Sequence, residues 1–281
     1  MPTTVVSPET LFAHLGDSSW IVIDCRHALT DFALGRRLYN EGHIPGAYFA
    51  DVENQLSGEK TGTNGRHPLP DPEQFATFLR GFGAHDATQI VAYDAGADMF
   101  AARLWFLCRW IGHDATAVLD GGLAAWTAAG YPLTSDRPAP RNNGTLTVRL
   151  NDQLVVDTDF VLGHLRSSEM HLLDARAADR FAGQNETVDP VAGHIPGAHN
   201  RSFKNNFDER GRWKTPEVLR TEFASHGDPQ RLVHQCGSGV SAAVNMLAME
   251  RAGLTGSRVY SGSWSEWIAD SSRPIATGST P

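Results

Sequence analysis

Cysteine is scarce in this sequence of 281 residues, which contains Cys25, Cys108 and Cys236 alone. An odd number of cysteines without close spacing is not a disulfide framework, and it is not the pattern of a zinc site either. Reduced thiols in a reducing compartment are the simpler interpretation. We therefore expect neither disulfides nor a metal site.

Excess basic charge and long apolar runs are also missing. The formal net charge is −8 at pH 7, which disfavours nucleic-acid binding as the main role. No apolar run approaches the roughly 18 residues that span a bilayer, and the N-terminal MPTTVVSPETLFAHL lacks the basic and apolar regions of a secretory signal. No G-x-G-x-x-G motif follows a strand, so a dinucleotide is not indicated. We expect a cytoplasmic protein that has no cofactor and that binds neither nucleic acid nor a membrane.

The sequence does contain repeated segments. Asp24 and Asp174 lie 150 residues apart in two similar segments, and three further pairs follow in the same order. The pairs are IVIDCRHALTDF with HLLDARAADRF, EGHIPGA with AGHIPGA, QIVAYDAGADMFAARL with RLVHQCGSGVSAAVNM, and LDGGLAAWTAAGYPL with YSGSWSEWIADSSRPI. This order indicates the tandem duplication of one domain rather than a short-repeat solenoid.

Each half alternates short β-branched runs with longer helix-like runs. This alternation predicts an α/β fold in which each half is a parallel sheet covered by helices. Ligands are then expected at the carboxyl edge of the sheet. We assign residues 1–135 to an N-terminal domain, 136–149 to a linker that is rich in Pro and Asn, and 150–281 to a C-terminal catalytic domain.

Features that both halves share predict architecture. The Asp-x-Arg segments at 24–26 and 174–176 are interpreted as buried ion pairs that orient the loop after a strand. His43 and His194 each precede an Ile-Pro-Gly turn. We expect these two histidines to hold the turns by hydrogen bonds rather than to act in catalysis.

Features that only one half carries are better functional candidates. Cys236 aligns with Asp94 of the first half, and Arg180 aligns with Thr30 or Asp31. We therefore expect the first domain to be inactive and Cys236 and Arg180 to belong to the active site. Cys25 and Cys108 are interpreted as buried structural residues.

The context of Cys236 favours a nucleophile over a buried structural thiol. It ends a strand, and a glycine-rich loop and then an apolar helix follow. Such a loop directs its backbone N–H groups inward, and the helix adds the positive end of its dipole. This arrangement favours a thiolate, and it can hold the extra negative charge of a persulfide. The expected persulfide-binding loop consists of Gly237, Ser238, Gly239, Val240 and Ser241.

Two kinds of cysteine chemistry suit this arrangement. A phosphatase requires an arginine in the loop to bind phosphate as a bidentate fork, and CGSGVSAAVNM contains neither Arg nor Lys. Sulfur transfer requires a thiolate and a place to hold the persulfide. The loop therefore favours sulfur transfer.

The duplicated halves, the GHIPGA segments, DAR…RF and CGSGVS resemble the two-domain rhodanese-type sulfurtransferases over roughly residues 5–275. The neutral loop is most similar to that of members that use 3-mercaptopyruvate. The resemblance implies an inactive first domain, an active second domain and a site at their interface. It places the catalytic cysteine at Cys236 and the arginine for the substrate carboxylate at Arg180.

The resemblance also implies a proton relay, and it leaves one position unmatched. The relay falls on Ser238 and His67, with Glu53 as its acidic member. A second substrate arginine of the family has no match, because QNETVDPVAG (184–193) contains none.

The predicted activity is the transfer of sulfane sulfur from 3-mercaptopyruvate, through a Cys236 persulfide, to cyanide, a small thiol or a thioredoxin-like dithiol, with release of pyruvate. Thiosulfate as the preferred donor and a persulfide carrier with little turnover remain as alternatives. A phosphatase-like enzyme is the least favoured.

Overall fold

The computed structural model describes residues 1–165 and 167–280, and the chain divides into two compact units. Their segments are Met1–Gly58, Leu69–Asn151 and Glu209–Trp213 for the first unit, and Glu59–Pro68, Asp152–Asp208 and Lys214–Pro281 for the second. Two short segments, 59–68 and 209–213, thus cluster with the unit built from the other half of the sequence, which the repeats do not indicate. The sequence domains 1–135 and 150–281, with the linker 136–149, remain a proposal.

The first unit contains a five-stranded parallel sheet with helices around it. Its elements are β1 Val5–Val6, α1 Pro8–Ala13, β2 Trp20–Asp24, α2 Leu34–Glu41, β3 Tyr48–Phe49, α3 Pro72–Arg80, β4 Gln89–Tyr93, α4 Met99–Trp110, β5 Thr116–Leu119 and α5 Gly122–Ala128. The strand order is β1-β5-β4-β2-β3, with every neighbouring pair parallel.

The second unit repeats this sheet. Its elements are β6 Val155–Val156, α6 Thr158–His164, β7 His171–Asp174, α7 Ala178–Phe181, β8 His199–Asn200, α8 Pro216–Phe223, β9 Leu232–Gln235, α9 Ala242–Arg251, β10 Arg258–Tyr260 and α10 Ser263–Trp267. Short 3₁₀ helices are Asp152–Leu154, Phe203–Asn206, Ala224–His226 and Pro229–Arg231. The order β6-β10-β9-β7-β8 corresponds strand for strand to the first sheet. The predicted α/β duplication is confirmed.

Burial and capping explain why these segments form their elements. All five residues of β2 and of β4 are buried, as expected for parallel strands that are covered on both faces. Helix α3 begins where the Asp71 side chain accepts hydrogen bonds from backbone N–H groups of the first helical turn. Pro72 lies in the same turn. Helix α9 is buried from Ala242 to Met249, so it fixes the loop that precedes it.

The features shared by the halves have the structural roles expected of them. Arg26 and Arg176 form ion pairs with Asp24 and Asp174, with a closest N–O distance of 2.7 Å in each case. All four of these side chains are buried.

The histidines of the two Ile-Pro-Gly turns also have equivalent contacts. The ring Nδ1 of His43 lies 2.7 Å from Tyr39 O, and that of His194 lies 2.9 Å from Phe181 O. Hydrogen bonds hold both rings, so the structural interpretation of these histidines is confirmed.

No helix in the described part of the chain combines the length and the apolar character needed to cross a lipid bilayer.

Candidate active site

Cys236 lies at the carboxyl end of strand β9, between the sheet and helix α9. Side-chain and backbone groups at the start of α10 hold it in place. The Cys236 amide donates to Ser263 Oγ over 3.1 Å, and the Cys236 carbonyl accepts from the Trp264 amide over 3.0 Å. The carbonyl of Gly237 accepts from the Ser265 amide over 2.9 Å. The loop therefore has a fixed backbone, as a site built on rigid elements requires.

A backbone amide of the loop is directed at the sulfur. The Gly239 N–H donates to Cys236 Sγ over 3.2 Å. Gly239 has a φ of +77°, and a Cβ atom at this residue would lie 2.1 Å from the Ser261 carbonyl oxygen. Only glycine fits this position, and its conformation brings the amide to the sulfur. The sulfur thus has a hydrogen-bond donor from its own loop.

The equivalent loop of the first unit shows what kind of group such a loop binds. Asp94 stands where the second unit has Cys236, and its buried carboxylate accepts four backbone N–H groups at 2.9–3.5 Å. Burial raises the pKa of Asp94, while these hydrogen bonds act in the opposite direction. The donors are the amides of Gly96, Asp98, Phe100 and Ala101. The loop is therefore an anion cradle, which in the first unit the protein's own carboxylate fills.

Two guanidinium groups lie over the loop. A Cβ atom at Gly237 would lie 2.9 Å from Arg66 Nη2 and 3.6 Å from Arg180 Nη2. Glycine at 237 thus allows both cations to approach the backbone next to Cys236. The predicted site residue Arg180 is therefore beside the cysteine loop.

Arg66 is the residue that sequence reasoning missed. It lies in segment 59–68, which belongs to the second unit, and its backbone N–H donates to Ser265 Oγ over 3.0 Å. Burial lowers the pKa of the Arg66 guanidinium, and the largest opposing influence is the charge of Cys236. The available signal was its position next to His67 in GRHPLP. A second cation is thus present although QNETVDPVAG contains none.

Two buried carboxylates bind these arginines. Asp189 bridges them, because one oxygen pairs with Arg66 Nη1 and the other lies 3.1 Å from Arg180 Nη2. Glu186 binds Arg180 through Nε and Nη2, with a closest distance of 2.8 Å. The Asp189 and Glu186 side chains are only 1% and 2% exposed. We call Arg66, Arg180, Glu186 and Asp189 the charge cluster, and its formal charge is zero.

The structure brings together two members of the predicted relay. Ser238 Oγ and His67 Nδ1 lie 2.7 Å apart, and both residues are buried. Glu53 belongs to the first unit, where its carboxylate lies 3.6 Å from His27 Nε2. A role of Glu53 in the relay remains a prediction.

The two other thiols are in unreactive surroundings. Cys25 and Cys108 are completely buried. Burial raises the pKa of Cys25 well above its usual value and that of Cys108 to about 12. Among the described residues, no group of three or more His, Cys, Asp or Glu side chains is arranged to hold a metal ion.

An open cavity of the second unit lies away from Cys236. It has a volume of about 690 Å³, and its lining includes Gln230, Gly256 and Arg258, which lie at the amino ends of β9 and β10. Cys236 lies at the opposite end of β9. The cavity lining contains no cysteine, so the chemistry argues for the loop rather than for this cavity.

Comparisons with known proteins agree with this geometry. The family model of the rhodanese-like domain matches residues 7–129 and 157–270. The chain is 45% identical over 279 residues to a probable 3-mercaptopyruvate sulfurtransferase of Pseudomonas aeruginosa. The alignment covers 98% of each chain. It is 35% identical over 262 residues to the thiosulfate sulfurtransferase of Rattus norvegicus, which covers 90% of this chain and 84% of the relative.

A solved structure supports the same fold. The crystal structure of a 3-mercaptopyruvate sulfotransferase from Escherichia coli superposes with a TM-score of 0.80 at 32% identity, over 94% of this chain and all of that chain. The predicted family and the predicted enzyme class, a sulfurtransferase, are confirmed. This chain belongs to the rhodanese-like family and contains two copies of its domain.

Proposed function

We propose that this sulfurtransferase takes sulfane sulfur from 3-mercaptopyruvate onto Cys236 and passes it to a thiol or to cyanide, with release of pyruvate. The observation that carries the proposal is the position of the Cys236 sulfur. It accepts the Gly239 N–H in an anion-binding loop, beneath the guanidinium groups of Arg66 and Arg180. The names of the P. aeruginosa and E. coli proteins support the choice of donor.

In the first step, the Cys236 thiolate attacks the sulfur of 3-mercaptopyruvate. A new S–S bond forms, the C–S bond of the donor breaks, and its electron pair remains on the methylene carbon as pyruvate enolate. One proton then converts the enolate to pyruvate. The thiol proton of the donor is first carried on the new persulfide, and ionisation of the persulfide releases one proton, so no net proton is consumed. Ser238 of the cysteine loop and its hydrogen-bonded partner His67 are suited to carry the proton.

The Asp94 cradle indicates how the persulfide is held. A persulfide has the chain Cβ–Sγ–S, which contains as many atoms as the chain Cβ–Cγ–O of an aspartate. Asp94 accepts four backbone N–H groups in the first unit. The outer sulfur of a Cys236 persulfide would meet the corresponding amides of the second loop, which are those of Ser238, Val240, Ala242 and Ala243. The hydrogen bonds to the Asp94 carboxylate therefore support the proposal that the second loop holds a persulfide in the same way.

In the second step, an acceptor removes the outer sulfur. A thiolate or cyanide attacks it, the S–S bond breaks, and its electron pair returns to Cys236 as the thiolate. The products are a new persulfide or thiocyanate. A small thiol or a thioredoxin-like dithiol is the proposed acceptor in the cell.

Arg180 and Arg66 are proposed to bind the carboxylate of the donor. Guanidinium groups bind carboxylates through paired, charge-assisted hydrogen bonds. Each such bond contributes about 2–3 kcal/mol in a shielded cleft. The two groups approach the same glycine, Gly237, so they can hold a small donor next to the thiolate.

Thiosulfate is the second candidate donor, because the R. norvegicus relative is a thiosulfate sulfurtransferase. The test is to measure kcat/KM for both donors with cyanide as the acceptor. We expect the higher value for 3-mercaptopyruvate and no turnover of either donor by Cys236→Ser. A higher value for thiosulfate would make thiosulfate the donor, and saturation with neither would favour a carrier.

A further inference from the structure

The carboxylate of Asp189 has the position that a donor carboxylate needs. Its two oxygens bind Arg66 Nη1 and Arg180 Nη2, and one oxygen would lie 3.6 Å from a Cβ atom at Gly237. The carboxylate thus pairs with both guanidinium groups that are proposed to bind the donor, and it does so beside Gly237, the residue that follows Cys236. Asp189 falls in the QNETVDPVAG segment, where the resemblance led us to expect a cation.

We propose that Asp189 determines donor specificity: its carboxylate holds the two arginines as an internal substitute for the donor and selects against dianionic donors. This inference deepens the proposed function and rests on it, because it assumes that the arginines bind the donor. A monoanionic carboxylate such as that of 3-mercaptopyruvate is accepted, whereas thiosulfate, a dianion, is disfavoured.

The Asp189 carboxylate stays close to the donor when the donor binds. Its side chain is 1% exposed, and its backbone N–H donates to Glu186 Oε1 over 3.0 Å. An aspartate side chain is short, so rotation about its bonds moves the charge only a few ångströms. Asp189 therefore releases the arginines without leaving the cluster.

The charge balance then discriminates between donors. The charge cluster has two cations and two carboxylates, so its formal charge is zero before a donor binds. The energy of two charges is proportional to their product. Repulsion from Asp189 therefore costs a dianion about twice the free energy that it costs a monoanion. Removing this one charge raises kcat/KM by some factor for a monoanion and by about the square of that factor for a dianion.

The variant Asp189→Asn removes the charge and keeps the size of the side chain. With repulsion reduced by solvent and salt, we expect kcat/KM to rise about threefold for 3-mercaptopyruvate and about tenfold for thiosulfate. The change should appear in KM rather than in kcat, since Asp189 does not take part in bond making. Glu169→Gln is the matched control. Its side chain is 77% exposed and precedes β7, at the sheet edge opposite to Cys236, so both constants should stay unchanged.

Alkylation of Cys236 gives a readout that does not depend on turnover. Iodoacetate is an anion and iodoacetamide is neutral, so the ratio of their rates reports the charge around the thiol. We expect Asp189→Asn to raise this ratio about threefold and Glu169→Gln to leave it unchanged.

Two results would overturn the inference. One is an unchanged alkylation ratio in Asp189→Asn, and the other is an equal fall of kcat/KM for both donors, which would make Asp189 a structural support for the arginines. Failure of the proposed function looks different, because wild-type protein would then form no persulfide with either donor. The alkylation ratio would still decide the role of Asp189.

Discussion

Ser238 and His67 are hydrogen-bonded at 2.7 Å although 171 residues separate them in the sequence. Ser238 belongs to the cysteine loop, and His67 belongs to segment 59–68 of the same compact unit. The segment therefore supplies a histidine to the proposed proton relay and an arginine, Arg66, to the charge cluster.

The relay predicts that Ser238→Ala and His67→Asn both lower kcat for 3-mercaptopyruvate, by about 100-fold, because positioned proton transfer contributes on that order. KM should change little, since the proposed carboxylate ligands are elsewhere. Steady-state measurement of pyruvate release provides the test. The double variant should be no slower than the slower single variant, because the two residues act as a unit. Multiplicative losses would show that they act independently.

The second cation predicts a loss of donor binding in Arg66→Gln. Removing one charge-assisted hydrogen bond costs about 2–3 kcal/mol, which corresponds to an increase of KM by roughly 30- to 150-fold. Arg180→Gln should behave in the same way. Arg66→Lys keeps the charge but not the planar fork, so it should recover only part of the loss. An unchanged KM in Arg66→Gln would remove Arg66 from the donor site.

Buried His234 predicts a stability that depends on pH. Burial lowers its pKa from an ordinary 6.5 to about 3, and within the described residues neither ring nitrogen has a hydrogen-bond partner. The folded protein thus holds the neutral ring, while the unfolded chain gains a proton below pH 6.5. The free energy of unfolding should therefore fall as the pH drops from 6.5 towards 3, by up to about 1.4 kcal/mol per pH unit from this residue.

Denaturant unfolding of wild type and His234→Leu at several pH values checks this. The other acid-sensitive groups remain in both proteins, so the difference between the two curves isolates His234. As the pH falls from 6.5, the free energy of unfolding of the variant should rise relative to that of the wild type. Parallel curves would show that His234 does not titrate as its burial implies.

The conformation of Gly239 predicts that Gly239→Ala is severely destabilising. The new Cβ atom would lie 2.1 Å from the Ser261 carbonyl oxygen, at a φ of +77°. Gly130 is a matched control, because its φ is also +77° but no atom lies within 4 Å of its Cβ position. Gly130→Ala should cost only about 1–2 kcal/mol, the penalty of the left-handed conformation.

For Gly239→Ala we expect an additional loss of about 1–3 kcal/mol from the displaced loop, together with loss of sulfur transfer. Thermal unfolding and turnover of both variants provide the comparison. Equal destabilisation in the two variants would mean that the loop tolerates the methyl group.

The repeats in the sequence predicted most of the fold. Both sheets have the same strand order, and the indole N–H groups of Trp126 and Trp267 donate to Pro132 and Pro274 at 2.9 Å and 2.8 Å. Such contacts are local, so similar sequences form them twice. The comparison of the halves also separated Cys236 from Asp94, because a change of chemistry at equivalent positions of the two halves is visible in the letters alone.

The charge cluster was not visible in the same way. Arg66 reaches Asp189 across 123 residues, and its placement depends on Gly65 and Ser265. A Cβ atom at Gly65 would lie 2.9 Å from the Gly262 carbonyl oxygen, so this contact depends on backbone packing that has no periodic pattern. Sequence reasoning looked for the second cation in the segment that supplies Asp189, where the chain has the opposite charge.

The most direct test of the central claim is the intact mass of the reduced protein before and after incubation with 3-mercaptopyruvate. We expect a gain of one sulfur atom that disappears when cyanide is added and that is absent in Cys236→Ser. A wild-type protein that gains no mass, or a Cys236→Ser variant that gains the same mass, would contradict the assignment of Cys236 as the sulfur carrier.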